Sequence, residues 1–461
     1  MKLFNTMTRR KEEFVPIAPP KVGFYTCGPT VYNRVHIGNL RTFLFEDLLR
    51  RWLKFRGFEP YQVMNLTDVD DKTIRGASEQ GVSLDEYTAP YIELFYEDIK
   101  QLNIEPAEVY PRATLHIAEM VELVKQLRAN GLTYESEGSI YFSIGRFPDY
   151  GKLSGIRPNE LKCGVRIELD EYEKDDARDF VLWKAAKPGE PSWDTELGKG
   201  RPGWHIECSA MSMKYLGATL DIHTGGVDNM FPHHENEIAQ SEAATGKPFV
   251  KYWLHAEHLL VDGEKMSKSK GNFYTLGDLL EKGIDPIDVR FALLQTHYRS
   301  QYNFTLEGVA QAHAGRRRLQ DFYARLAEVD TEGLASPEVT ELVKQTRQRF
   351  VEAGDDDLNI PEALGQVFAM MPRANSLLDE SKLTKADAEA LARLLEDFDR
   401  VLGVLERESQ LLDADVEALM LEREQARKDR NFARSDEIRD LLKAQGILLE
   451  DTAKGTRWKR E

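Results

Sequence analysis

The stretch VGFYTCGPTVYNRVHIGNLRTFLFEDLLRRWLKFRGFEPYQVMNL, residues 22–66, decides the fold. Val22 to Thr26 reads as a short β-strand, and Gly28-Pro29 closes it as a turn. From about Leu40, Phe43, Leu44, Asp47, Leu48 and Trp52 recur at helical spacing until Gly57. Tyr61 to Leu66 then reads as a second strand. Strand, helix and strand in so short a span form a βαβ unit, which predicts a parallel sheet.

Helical patterns continue over Leu84–Leu102 and Leu115–Asn130. From about Gly131 to Pro202 the texture changes. Short aromatic strands, Ile140–Ile144 and Val165–Leu169, sit among glycine, proline and charge, as in an insertion. Alternation of strand and helix resumes near Leu220–Thr224 and runs to about Asn272. Beyond Asp288 the pattern is helical. Leu319, Phe322, Tyr323 and Leu326 share one stripe and Leu391, Leu394, Leu395 and Phe398 another, with turns at Ser336-Pro337 and Asn359-Ile360-Pro361. Helices over Asp415–Arg430 and Ser435–Ala444, the latter stopped by Gly446, precede a basic tail carrying Trp458. The expected fold class is α/β: a Rossmann-type parallel-sheet catalytic domain with an insertion, then an α-helical bundle and a small C-terminal domain.

A chain of 461 residues suggests about three domains. No apolar run approaches the ~18 residues of a membrane span, and Met1 to Arg10 lacks the apolar core of a secretory signal. The three cysteines, Cys27, Cys163 and Cys208, are too few and odd in number for a disulfide framework. A cytoplasmic protein with no membrane partner is expected. The net charge of −17 argues against non-specific nucleic-acid binding but leaves room for one basic face. Arg316, Arg317 and Arg318 form one basic cluster, and Lys454, Arg457, Lys459 and Arg460 another.

Two motifs carry phosphate chemistry. His36-Ile37-Gly38-Asn39 lies between the first strand and its helix, where free backbone N–H groups and the helix dipole favour an anion. Gly38 permits close approach of a nucleotide. Lys265-Met266-Ser267-Lys268-Ser269-Lys270 is a cationic loop able to close over a triphosphate and offset charge at the α-phosphate. Each half is weak alone: the first is most often a structural turn, the second a solvated basic loop. Ordered this way on a βαβ frame, the pair is far more specific.

A metal half-site is also legible. In Phe231-Pro232-His233-His234-Glu235-Asn236-Glu237, His233 and Glu237 are four apart and share a helix face. His234 has Ile238 at that spacing and reads as a poorer ligand. Softness points to Cys27 and Cys208 for the remaining positions, although scattered cysteines are usually buried small hydrophobes. Cys163 reads as a bystander, and His255 and His258, three apart, are rival ligand candidates that read better as supports for the lysine loop or contacts to the nucleotide.

The chain resembles the cysteinyl-tRNA synthetases, a class I aminoacyl-tRNA synthetase family. The resemblance rests on Cys27-Gly28-Pro29-Thr30-Val31-Tyr32, Asn65 to Lys72, Gly200 to Ser209, Phe231 to Glu237, and the HIGH-like and KMSKS motifs, with Asn39 replacing the second histidine. It implies ligation of cysteine to tRNA(Cys) through cysteinyl-adenylate, with His36, Gly38, Asn39, Lys265, Ser267 and Lys268 binding ATP. Of these, His36, Asn39, Lys265 and Lys268 would be catalytic. It implies one Zn2+ on Cys27, Cys208, His233 and Glu237, Mg2+ with ATP, and a cysteine pocket formed by Thr67, Trp204, His223 and Asp228. Thr195-Glu196-Leu197 departs from the family's usual loop.

The implied domains are 1–130 and 203–275 for the two catalytic halves and 131–202 for the insertion. A stem-contact connector follows at 276–305, a helical bundle at 306–405 and an anticodon-binding region at 406–461. A monomer is expected. The rival reading is a ligase joining cysteine to a small amine, as in mycothiol synthesis.

Overall fold

The βαβ unit becomes two parallel strands, β1 (Lys21–Thr26) and β2 (Glu59–Met64), joined by helix α1 (Ile37–Phe55). The structure, a computed structural model, describes residues 1–156, 179–267, 271–406, 414–428, 431–444, 447–452 and 455–460. Helix α1 buries Leu40, Phe43, Leu44, Phe45, Leu48, Leu49, Trp52 and Leu53. Asp47 interrupts that apolar stripe for a reason: its carboxylate pairs with Arg51 and Arg290, both at 2.8 Å, and takes the backbone N–H of Glu105. A buried charge of this kind is tolerated when paired and hydrogen-bonded.

Helix α2 (Trp204–Leu216), strand β3 (Leu220–Gly226), helix α3 (Glu235–Thr245) and strand β4 (Val250–Ala256) follow the insertion. The sheet order is β4-β3-β1-β2, every pairing parallel. The chain moves outward one way from β1 to β2 and the other way from β3 to β4. The order therefore reverses between β1 and β3, which opens a crevice beyond their carboxyl ends. Register sets His223 beside Tyr25 on one side and Trp253 on the other.

The insertion forms a five-stranded antiparallel sheet in the order Thr133–Ser136, Ser139–Phe142, Phe180–Ala185, Gly198–Pro202, Trp193–Thr195. Glu196-Leu197 forms the turn of its last hairpin, after Thr195 at the strand end. The strand expected at Val165–Leu169, together with Cys163, lies outside the described residues. A helix over Asp71–Gln80 was not expected. It buries only Thr73, Ile74 and Ala77, too few apolar residues for a visible stripe.

A three-stranded sheet orders Glu264–Lys265, Leu259–Val261 and Tyr302–Phe304, and so presents Lys265 on a short hairpin. Four long helices follow, at Leu306–Leu326, Pro337–Asp355, Ile360–Asp379 and Lys385–Leu402. Their starts are capped by Thr305, Ser336, Asn359 and Thr384, whose side chains accept backbone N–H groups. The two turn signals read from the sequence are thus helix N-caps, with proline in the first turn.

Leu405–Glu461 forms a second compact unit. It holds helices Ala414–Lys428 and Phe432–Ala444 and a hairpin of Ile447–Thr452 with Gly455–Arg460. The basic tail is therefore a strand, with Trp458 opposite Leu449. Arg430, Gly446 and Lys454 lie outside the described residues.

Candidate active site

Cys27 follows directly on β1, at the crevice between β1 and β3. Cys208 sits in the second turn of α2, His233 in a π-type turn before α3, and Glu237 in the first turn of α3. One ligand atom from each of Cys27, Cys208, His233 and Glu237 lies within 4.8 Å of the other three, and all four residues are buried. A second set, Cys27, His223, His234 and Glu237, meets the same limit. The structure thus brings in His234, whose Nε2 lies 3.3 Å from the Cys27 sulfur. Helical spacing to Ile238 could not reveal this, because the partner comes from the loop after β1.

The charges fit a cation. The Cys27–Cys208 sulfur contact, aided by burial, pushes the Cys27 thiol well above its ordinary value. The same contact pulls Cys208 down to about 6 against its burial, which makes it the thiolate of the pair. Burial opposes charge on His233, but Glu237 and Cys208 outweigh it and raise His233 to about 10. Burial opposes charge on Glu237 too, yet His223 and His233 hold it down at about 2. Glu237 Oε2 is 2.9 Å from His223 Nε2. Its Oε1 is 3.0 Å from His233 Nε2 but has no hydrogen-bond partner. Glu237 and Cys208 thus turn negative charge toward one point, where a bound cation would take the place of the proton on His233. Two sulfurs, one imidazole and one carboxylate are a zinc donor set.

Outer histidines orient the inner ones. His205 Nδ1 lies 2.9 Å from His233 Nδ1. His255 sits 2.8 Å from both His234 Nδ1 and the Thr6 hydroxyl. His255 therefore serves this cluster rather than the lysine loop, while His258 uses its backbone N–H on Glu257. Ligand histidines usually have such partners on the second nitrogen.

The expected pocket residues differ in exposure and engagement. His223 is wholly buried. Trp204 is 36 % exposed and lays its ring 4.2 Å from that of His233. Asp228 is exposed on a short turn after β3. The Thr67 hydroxyl is already engaged, donating to Glu207 and accepting from Asn65.

The phosphate motif is a reciprocal helix cap. His36 Nδ1 accepts the backbone N–H groups of Gly38 and Asn39, and Asn39 Oδ1 accepts that of His36. Asparagine in place of a second histidine is thus a working member of a capping box. Burial lowers the His36 pKa, so the ring is neutral. With Nδ1 accepting, its proton sits on Nε2.

Gly38 packs against the flexible end of Met266. A Cβ there would lie 2.7 Å from Met266 Cε, so the two motifs touch. Ile37 N–H also donates to Tyr274 O. Asn272 closes the base of the lysine loop by accepting Ser267 N–H and donating to Lys265 O. Lys265 is exposed, and Lys268 lies outside the described residues. Buried Arg41, unnoticed in the sequence, donates to the carbonyls of Glu257, His258, His297 and Ser300 and ties α1 to the lysine hairpin. No helix among the described residues is long and apolar enough to cross a membrane.

Comparison with known proteins agrees with this layout. Residues 13–314 match the family described as tRNA synthetases class I (C) catalytic domain. Residues 349–406 match the DALR domain, and 409–458 the cysteinyl-tRNA ligase anticodon binding domain. The chain is 50% identical to a cysteine–tRNA ligase of Protochlamydia amoebophila, over 100% of this chain and 98% of that one. It is 51% identical to one of Leptospira interrogans, over 100% and 99%. Among solved structures, a Mycobacterium tuberculosis methionyl-tRNA synthetase in complex with methionyl-adenylate shares the fold. Its TM-score is 0.60 at 16% identity, covering 83% of this chain and 89% of that one.

Proposed function

The chain belongs to the cysteine–tRNA ligase family of class I aminoacyl-tRNA synthetases, and from that membership we propose how its residues charge tRNA(Cys). As an ATP-dependent aminoacyl-tRNA ligase it takes ATP, an amino acid and tRNA as substrates. In the reading we favour, the carboxylate of L-cysteine attacks the α-phosphorus of Mg2+-bound ATP. Pyrophosphate leaves and cysteinyl-adenylate forms. A terminal hydroxyl of tRNA(Cys) then attacks the carbonyl carbon and AMP leaves.

The first step needs positioning and charge stabilisation rather than a protein nucleophile. His36 donates its Nε2 proton in a hydrogen bond to a phosphate oxygen as charge builds there. Asn39 and the N-terminus of α1 hold the nucleotide, and Gly38 leaves room for it. Lys265 and Lys268 neutralise the phosphates when their loop closes, and Ser267 adds a polar contact. Asp228 takes the substrate ammonium, while Trp204, His223 and Thr67 wall the side-chain end.

Cys27, Cys208, His233 and Glu237 would hold one Zn2+, which supplies a soft Lewis-acid position that favours a thiolate over a hydroxyl. One small group in an apolar pocket gives only ~1–3 kcal/mol, too little to separate cysteine from serine. The observation that carries this reading is the convergence of four buried donor atoms at the crevice. Residues 131–202 then act as the insertion, 276–305 as the stem-contact connector, 306–405 as a stem-binding bundle and 406–461 as the anticodon reader. The chain acts as a cytoplasmic monomer.

The test is transfer of labelled cysteine to a tRNA(Cys) transcript by the full chain with ATP and magnesium. Label recovered on the tRNA supports the reading. Label recovered only on an added small amine would sink it.

A further inference from the structure

Glu207 is a buried carboxyl with no Lys or Arg paired to it among the described residues. It is wholly buried, and its Oε1 has no hydrogen-bond partner. Burying an acid without a cation partner costs stability, so its presence here calls for a reason. Among the described residues its side chain is hydrogen-bonded through Oε2, which accepts the Thr67 hydroxyl at 3.0 Å. Thr67 Oγ1 in turn accepts Asn65 Nδ2 at 3.1 Å, and Asn65 Oδ1 accepts the backbone N–H of Gly28 at 2.9 Å.

Donors in this chain all point the same way, from Gly28 to Glu207, and such aligned chains reinforce each link. Asn65 is 2 % exposed and Thr67 1 %, so water does not compete. The ends of the chain matter most. Gly28 is the neighbour of Cys27, and Glu207 the neighbour of Cys208. Backbone contacts fix the Cys27 end further. Val31 N–H donates to Thr67 O, Thr67 N–H to Pro29 O, and a Cβ on Gly28 would sit 1.8 Å from Asn65 O.

We propose that Asn65 and Glu207, acting through Thr67, are positioning residues that set the separation of the Cys27 and Cys208 sulfurs and thereby tune the metal centre. This rests on the zinc reading above. The two cysteines come from different elements, a strand end and a helix, so neither element alone determines their spacing. The relay joins them by side chains that touch neither sulfur.

The test is zinc affinity of the full chain by chelator competition, with the thiolate-to-metal charge-transfer band of the cobalt(II)-loaded protein as a second readout. Asn65→Ala and Glu207→Leu are expected to weaken zinc binding about tenfold to a hundredfold and to shift the cobalt band. Glu207→Gln keeps an oxygen acceptor for Thr67 and is expected to hold both readouts at their wild-type values; the shifted cobalt band in folded Glu207→Leu is the effect that a role in bulk stability alone would not produce. If either broken variant fails to fold, Thr67→Val, which removes the middle of the relay and keeps the shape, carries the same expectation. Wild-type protein that takes up neither metal overturns the zinc reading itself. Metal-binding wild type with unchanged affinity and spectrum in the folded broken variants overturns only the relay.

Discussion

Cys27, Cys208, His233 and Glu237 are each at most 8 % exposed, and their neighbours are held by hydrogen bonds from strands, helices and an outer ring of histidines. Lys265, by contrast, stands exposed on a two-residue strand, its loop closed at the base by Asn272 and touching α1 through Met266 and Gly38. Both regions border one crevice. Under the proposed function, the difference follows from the two tasks. Telling sulfur from oxygen needs donor atoms already in place, because discrimination is lost if the ligands can adapt to either substrate. Offsetting charge on a triphosphate needs cations that arrive after the nucleotide has entered.

Removing a sulfur should break the rigid side most severely. Cys208→Ser is expected to lose bound zinc and to lower kcat/KM for cysteine by on the order of 10³-fold, with ATP binding kept. Metal analysis beside cysteine-dependent pyrophosphate exchange checks it. Lys265→Ala attacks the other side. Exchange should slow by roughly 10²-fold in kcat while zinc content and the KM for cysteine stay as they were. A matching loss of zinc would mean that the two regions are not separate devices.

His255 sharpens the contrast through pH. Burial lowers it from 6.5 to about 3, with His223 and Arg9 adding to the effect. Below pH 6.5 the unfolded chain takes up a proton that the folded chain refuses until about 3, so stability present above 6.5 is lost as pH falls between those values. His255→Asn should flatten that slope by on the order of a few kcal/mol at its acid end and change little near neutrality. Urea unfolding against pH measures it. The smallest effect is expected from Gly38→Ala. Its Cβ presses on the flexible end of Met266, so the KM for ATP should rise by only about three- to tenfold. A far larger loss would show that the loop contact is rigid after all.

The parts visible in the sequence are those with a local period or a short motif. The strand and helix of residues 22–66 announce themselves by apolar spacing, and His233 and Glu237 by their interval of four. What escaped depends on distant partners. Spacing along the segment of His234 cannot reveal Cys27 across the crevice. Arg41 and Glu207 carry no local signal of their roles, since the carbonyls and the Thr67 hydroxyl that meet them lie far along the chain. The C-terminal strand around Trp458 was read as a tail, since charged residues alternate there without an apolar face. Asp71–Gln80 escaped for the same want of a stripe.

The central claim is that a metal held by four buried side chains selects the substrate's sulfur. Its most direct test is the ratio of cysteine-dependent to serine-dependent pyrophosphate exchange, measured with one zinc per chain and again after the metal is stripped. The account predicts a ratio of roughly 10⁴ or more that collapses on stripping, with activity returned by added zinc. Metal-free protein that activates cysteine at the full rate and still refuses serine would contradict it.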